Sequence, residues 1–153
     1  MKPMKSIASL VLAGAALAAA LPAQAQFAKP EDAIKYRQSA LTVMATHFGR
    51  VAAMANGRVP FNAQAAADNA AIAESLSKLP WAGFVEGTAL PSNKAKPEIW
   101  TDNAKFKASY ETMQAEMSKF AAVAKGGNID AIKAAAGAVG GSCKSCHDNF
   151  RRE

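Results

Sequence analysis

The alternation of apolar and polar positions divides residues 31–150 into four amphipathic stretches of helical period. Residues 31–56 form the first, with Pro30 at its entrance and Gly57 as its stop. At 100° per residue, Arg37, Leu41, Met44, Phe48 and Val51 fall on a stripe about 80° wide, which marks a buried face. Asn62 is the expected N-cap of a second helix that runs to Leu79, buries Ile72, Leu76 and Leu79, and ends at Pro80. Thr101 or Asp102 caps a third, in which Phe106, Tyr110, Met113, Met117 and Phe120 make a heptad-like seam stopped by Gly126-Gly127. Asn128 caps the fourth, where Ile129, Ile132, Ala136, Val139, Cys143 and Phe150 share a stripe. Gly137, Gly140 and Gly141 each weaken its middle by about 1 kcal/mol relative to alanine. They suggest that something bulky approaches the backbone there. Residues 80–101 hold Pro80, Pro91 and Pro97 and read as a long loop, a feature that often has a job. Trp81 and Trp100 are expected to pin its ends, and Arg152 and Glu153 to fray. Four such helices with short first and third links predict an all-α fold, an antiparallel four-helix bundle.

Composition agrees with this picture. Half of the 153 residues are apolar, enough for the core of one domain, while aromatics are only 7%. Two cysteines are too few for a disulfide scaffold or a four-cysteine zinc site. The 18 basic and 12 acidic residues are scattered, with no Lys/Arg run, so no nucleic-acid partner is expected. Residues 1–25 stand apart. Lys2 and Lys5 precede an uncharged apolar run over residues 7–20, and Ala23-Gln24-Ala25 is a small-x-small cleavage site. The pattern is that of a signal peptide cleaved after Ala25, its apolar run shorter than the roughly 20 residues that span a bilayer. The remaining domain is residues 26–153, with 16 basic and 12 acidic residues, a net charge of +4, and no further membrane-inserting segment. Outside the cytoplasm, two neighbouring cysteines must be paired, modified or protected.

Cys143-Lys144-Ser145-Cys146-His147 is C-x-x-C-H, the attachment signature of a c-type haem. On a helix, residues i and i+3 lie about 60° apart, so both thiols reach one edge of a porphyrin and form thioethers with its vinyl groups. His147, next in sequence, then points at the iron as axial ligand. The other readings of the spacing are a redox dithiol, which usually opens a helix after a strand, and part of a zinc site. No β-α-β pattern is present, and His47 is the sole other histidine.

The sixth iron position decides the use: a second protein ligand makes a low-spin electron carrier, and an open position takes diatomic gases. No methionine follows the motif, so a sixth ligand must come from upstream. Met44 and His47 are the candidates, Met44 as a core methionine otherwise and His47 as a boundary residue. Leu41, with no lone pair, would leave the iron unligated and the pocket dry. It also offers no acid–base group, which disfavours peroxidase-like chemistry and enzymatic activity generally. Arg37 lies one turn before Leu41 on the apolar stripe. A buried arginine needs an anionic partner, for which a haem propionate is the candidate, with Gln38 donating to the same carboxylate. Arg151, one turn after His147, would stand near the proximal face.

The chain over residues 26–153 resembles the cytochrome c′ family, the class II c-type cytochromes of bacterial periplasms. The likeness rests on Tyr36-Arg37-Gln38-Ser39-Ala40-Leu41, His47-Phe48-Gly49-Arg50, Leu79-Pro80-Trp81, Lys96-Pro97-Glu98-Ile99-Trp100 and Cys143 through Arg151. It implies a four-helix bundle, often a homodimer packed through the first helix, with one covalent five-coordinate, high-spin haem c. It implies binding of nitric oxide and carbon monoxide, with electron transfer to a redox partner of unknown identity. In that pattern Cys143 and Cys146 hold the haem and His147 is the iron ligand. Arg37 and Gln38 contact the haem, Leu41 blocks the distal side, and Arg151 is the proximal basic residue. Six-coordinate relatives place methionine where this chain has Leu41. Relatives commonly carry an acidic residue where this chain has Lys94, ahead of Ala95-Lys96-Pro97, so either a propionate is paired there or the loop differs.

Overall fold

A computed structural model describes residues 26–153; the expected signal peptide lies outside the described residues. The helices are α1 (Pro30–Ala55), α2 (Ala63–Leu76), a single turn α3 (Glu98–Thr101), α4 (Asn103–Lys125) and α5 (Ile129–Phe150), with a 3₁₀ turn at Pro80–Gly83. The four long helices close a ring: α1 packs on α2 and α5, and α4 packs on α2 and α5. This is the expected all-α four-helix bundle, and no strand occurs among the described residues.

Local chemistry explains most boundaries. Pro30 opens α1, where the missing N–H costs nothing. The side chains of Asn62 and Asn128 accept from Ala65 N–H at 2.8 Å and Ala131 N–H at 2.9 Å, capping α2 and α5. Gly57 and Gly127 take left-handed φ values of 69° and 68° just past α1 and α4, where a side chain would be strained. The expected caps of the third long helix differ. Thr101 belongs to α3, and Asp102 stands at the N-cap of α4 without a side-chain bond.

The core joins Met44, Val51 and Met54 of α1 to Met113, Met117 and Phe120 of α4 and Ile132 and Val139 of α5. The expected face of α2 is corrected. Its buried positions are Ala66, Ala70 and Ala73, while Ile72 and Leu79 are 42% and 44% exposed. Alanines let α2 approach its neighbours closely, so Ile72 points away, while Leu76 packs partly buried against the core as expected. Ile129 is likewise exposed at the start of α5. The helix also stops at Leu76, three residues before Leu79, in a turn that leads into Pro80. A Cβ added at Gly137, Gly140 or Gly141 meets nothing within 4 Å, so no protein group requires those glycines.

The long loop is built rather than slack. Trp81 donates from Nε1 to Ser77 O at 2.6 Å and stacks on Tyr110, and Trp100 donates to Phe84 O at 3.0 Å, so both tryptophans pin it. A second core of Ile99, Phe106 and Phe150 lies beneath it. The chain end is ordered too. Ala95 and Arg151 form an antiparallel bridge, and Arg152 N–H donates to Lys94 O at 2.8 Å, so Arg152 does not fray.

Gly83 sits where the 3₁₀ turn meets α1. An added Cβ would lie 2.7 Å from Ala33 O and 2.8 Å from Arg37 Cβ. Gly83→Ala is expected to cost about 1–3 kcal/mol through overpacking, read as a lower urea midpoint.

Candidate functional site

The last turns of α5 bring Cys143, Cys146, His147 and Arg151 to one cavity of about 830 Å³. Helix α1 supplies the facing wall through Arg37, Gln38, Leu41, Met44 and Phe48, and α4 adds Phe106, Tyr110, Met113 and Met117. The loop closes the side with Trp81, Phe84, Asn93 and Lys94. Arg37, Gln38, Leu41, Met44, Cys143, Cys146, His147 and Arg151, singled out from the sequence, therefore line the same space. The volume lies within the roughly 300–1,000 Å³ of sites that enclose drug-sized molecules.

Both cysteines are half-buried free thiols. Burial pushes the Cys143 thiol up, and burial together with the neighbouring Cys143 pushes Cys146 up to about 11. Such thiols stay protonated at neutral pH, unlike the low-pKa thiolate of a redox dithiol. The imidazole of His147 is held below its ordinary pKa by desolvation and by the charge of Arg151, against an opposing pull from Asp148. Its lone pair is thus available to a metal near neutrality. Among the described residues no group of three or more His, Cys, Asp or Glu side chains is disposed to hold a metal ion by itself.

Arg37 is 3% exposed, and its protein partners lie in the loop. Nη1 donates to Gly83 O at 2.8 Å and to Thr88 Oγ1 at 2.6 Å, and Nη2 donates to Thr88 O at 3.0 Å. Its guanidinium carbon also lies 4.8 Å from the centre of the Phe84 ring. No carboxylate pairs with it among the described residues. Burial pushes its pKa down, as expected for a cation satisfied by neutral groups. Two of its five N–H donors remain free of protein partners among the described residues.

The two candidates for a sixth ligand separate. Met44 lines the cavity, but it is 6% exposed and embedded in the bundle core. His47 does not line it: Nδ1 lies 2.8 Å from Asn69 Oδ1 on α2. Its position about one-quarter turn off the stripe of α1 turns it to the neighbouring helix.

Three cations line the cavity, Arg37, Lys94 and Arg151, and no carboxylate does. The remaining wall is mostly aromatic, aliphatic and methionine. An apolar macrocycle bearing two carboxylates fits this lining, and the paired thiols beside a histidine fit its covalent attachment. Sequence reasoning missed Phe84, Asn93 and Tyr110 as wall residues and Thr88 as the partner of Arg37. Only the heptad seam pointed to Tyr110, and nothing local marks a threonine in a loop as buried.

The profile of the family described as cytochrome C′ matches residues 32–151. Cytochrome c′ of Rubrivivax gelatinosus is 51% identical over 129 residues, covering 84% of this chain and 100% of that protein. The protein of that name from Alcaligenes xylosoxydans xylosoxydans is 48% identical over 128 residues, covering 84% of this chain and 99% of the relative. The crystal structure of the Rubrivivax gelatinosus protein superposes with a TM-score of 0.79 at 52% identity, covering 83% of this chain and 100% of that one. A nitric oxide complex of a leucine-to-alanine variant of cytochrome c prime from Alcaligenes xylosoxidans gives 0.78 at 47% identity, covering 84% and 99%. With this coverage and this cavity, the chain belongs to the cytochrome c′ family, whose cofactor is covalent haem c.

Proposed function

We propose that this chain is a periplasmic gas-binding cytochrome with a five-coordinate, high-spin haem that binds nitric oxide and carbon monoxide. The observation that carries this is the convergence of Cys143, Cys146 and His147 on one cavity whose opposite wall includes Leu41. When bound, the haem supplies an iron that takes a diatomic ligand and, by cycling between ferric and ferrous, exchanges an electron with a redox partner. Cys143 and Cys146 tether the macrocycle, and His147 presents a neutral nitrogen to the metal. Leu41 keeps the opposite side free of donor atoms and water. Arg37, through its two remaining N–H groups, Gln38 and Arg151 meet the carboxylates or the polar edge. The nitric oxide complexes of the Alcaligenes xylosoxidans variants support this reading.

The visible spectrum of the purified protein tests it. Ferric and ferrous high-spin bands that shift on adding nitric oxide or carbon monoxide are expected. A low-spin ferrous spectrum indifferent to carbon monoxide would assign Met44, which lines the cavity, as sixth ligand and make the protein a dedicated electron carrier.

The homodimer is proposed on the outer face of α1 and α2. Phe27, Tyr36, Ala40, Val43 and Leu76 border a shallow groove there, and Val43 is 45% exposed. Apolar groups of this kind gain from being covered by a second copy. Sedimentation at micromolar concentration is expected to show twice the mass of residues 26–153, and Val43→Glu to reduce it to one.

A further inference from the structure

The cavity has one wall on α1 and another at the end of α5, and a series of hydrogen bonds, linked by single backbone steps, joins them outside the bundle core. Arg37, one turn before Leu41, donates to the side chain and the carbonyl of Thr88. Thr88 is fully buried, and its hydroxyl donates to Val85 O at 2.6 Å. Its carbonyl accepts a second bond, from Asn93 Nδ2 at 3.0 Å, and Asn93 Oδ1 accepts from Ala95 N–H at 3.0 Å. Asn93 is 8% exposed. Ala95 then pairs with Arg151, flanked by Lys96 N–H on Phe150 O at 3.0 Å and Arg152 N–H on Lys94 O at 2.8 Å. Arg151 is one turn past His147. The line thus runs from the turn carrying Leu41 to the turn carrying His147.

We infer that Thr88 and Asn93 are positioning residues: residues 83–96 form a strap, tied at Arg37 and at Arg151, that sets the spacing between the two walls of the haem site. Three features point this way. Buried polar groups are placed in a loop only when each finds a partner, and Thr88, Asn93 and Arg37 satisfy one another. The strap meets α1 at Gly83 too closely to admit a Cβ, so the junction is rigid. The strap also lends Asn93 and Lys94 to the cavity wall, so its placement is that of the wall itself. Arg37 accordingly has two duties, anchoring the strap with three N–H groups and facing the cavity with the others. The consequence for the haem rests on the function proposed above; the strap itself does not.

The test uses the full haem-loaded protein and two readouts. Thr88→Val keeps the shape and removes the hydroxyl, and Thr88→Ser restores it. Amide hydrogen exchange of Thr88→Val is expected to speed up by about tenfold or more at Ala95, Lys96 and Arg152, with α2 and α4 unchanged. The iron–histidine vibration of the ferrous protein is expected to shift in Thr88→Val and to return in Thr88→Ser. Asn93→Ala, which removes the bonds to Thr88 O and from Ala95 N–H that Thr88→Val leaves in place, is expected to release the same three amides while Arg37 stays bonded to Thr88. Unchanged exchange at Lys96 and Arg152, or an equal loss throughout all four long helices, overturns the strap. Faster strap exchange with an unmoved iron–histidine band overturns the link to the haem site. Absence of any iron–histidine band in the wild-type protein would instead count against the five-coordinate iron proposed above, leaving the exchange result to decide the strap.

Discussion

A Cys143→Ser/Cys146→Ser variant is expected to lose its haem completely under denaturing conditions, where the wild-type chain is expected to retain it. The thiols sit three residues apart on one face of α5 and line one cavity wall. Each forms a thioether that survives unfolding, and a serine hydroxyl does not add to a vinyl group in the same way. Both cysteines are free thiols. Haem-dependent peroxidase staining after denaturing electrophoresis reads the result directly. Single variants keep one thioether and therefore the stain. In native conditions the double variant still presents His147 and an apolar cavity, so it can hold haem loosely, but with a lower melting point. A loss of about 2 kcal/mol lowers the midpoint of a domain this size by roughly 6–12 °C. Retention of stain in the double variant would remove the thioether assignment.

The parts of this molecule legible in its sequence are those with short-range causes. Asn62 and Asn128 cap helices because their side chains reach an N–H three residues on, a fact local to four residues. The α1 stripe and the C-x-x-C-H triplet depend on helical period alone, and both turned to the cavity. What escaped depends on partners distant in sequence. The face of α2 was misassigned because burial there goes to Ala66, Ala70 and Ala73, which a hydrophobicity pattern underrates beside Ile72. Close approach of neighbouring helices, rather than residue size, decides that face. Arg37 was correctly placed inside, but its protein partners are carbonyls and a hydroxyl 46 and 51 residues away, in a loop whose sequence shows no periodicity. Arg152 is held by Lys94 O for the same reason, a pairing across 58 residues that no local pattern announces.

Leu41→Met is expected to turn the gas site into a closed one. Leu41 lines the cavity on α1, half-buried, with no donor atom to offer. Methionine has nearly the same volume, and such exchanges usually cost less than about 1.5 kcal/mol, so the bundle stays folded. What changes is a thioether sulfur placed where none stood. If it occupies the iron for about 99% of the time, a gas meets a competent site only in the remaining hundredth. Apparent carbon monoxide affinity then falls about 100-fold. The ferrous spectrum changes from high-spin to low-spin in the same variant, which ties the lost affinity to ligation rather than to damage. Leu41→Ala moves the other way: it keeps the iron five-coordinate and removes the side chain a gas must push aside, so carbon monoxide association accelerates. A wild-type protein that is already low-spin would assign the sixth position to Met44, and a Leu41→Ala variant no faster than wild type would place the gate elsewhere on the wall.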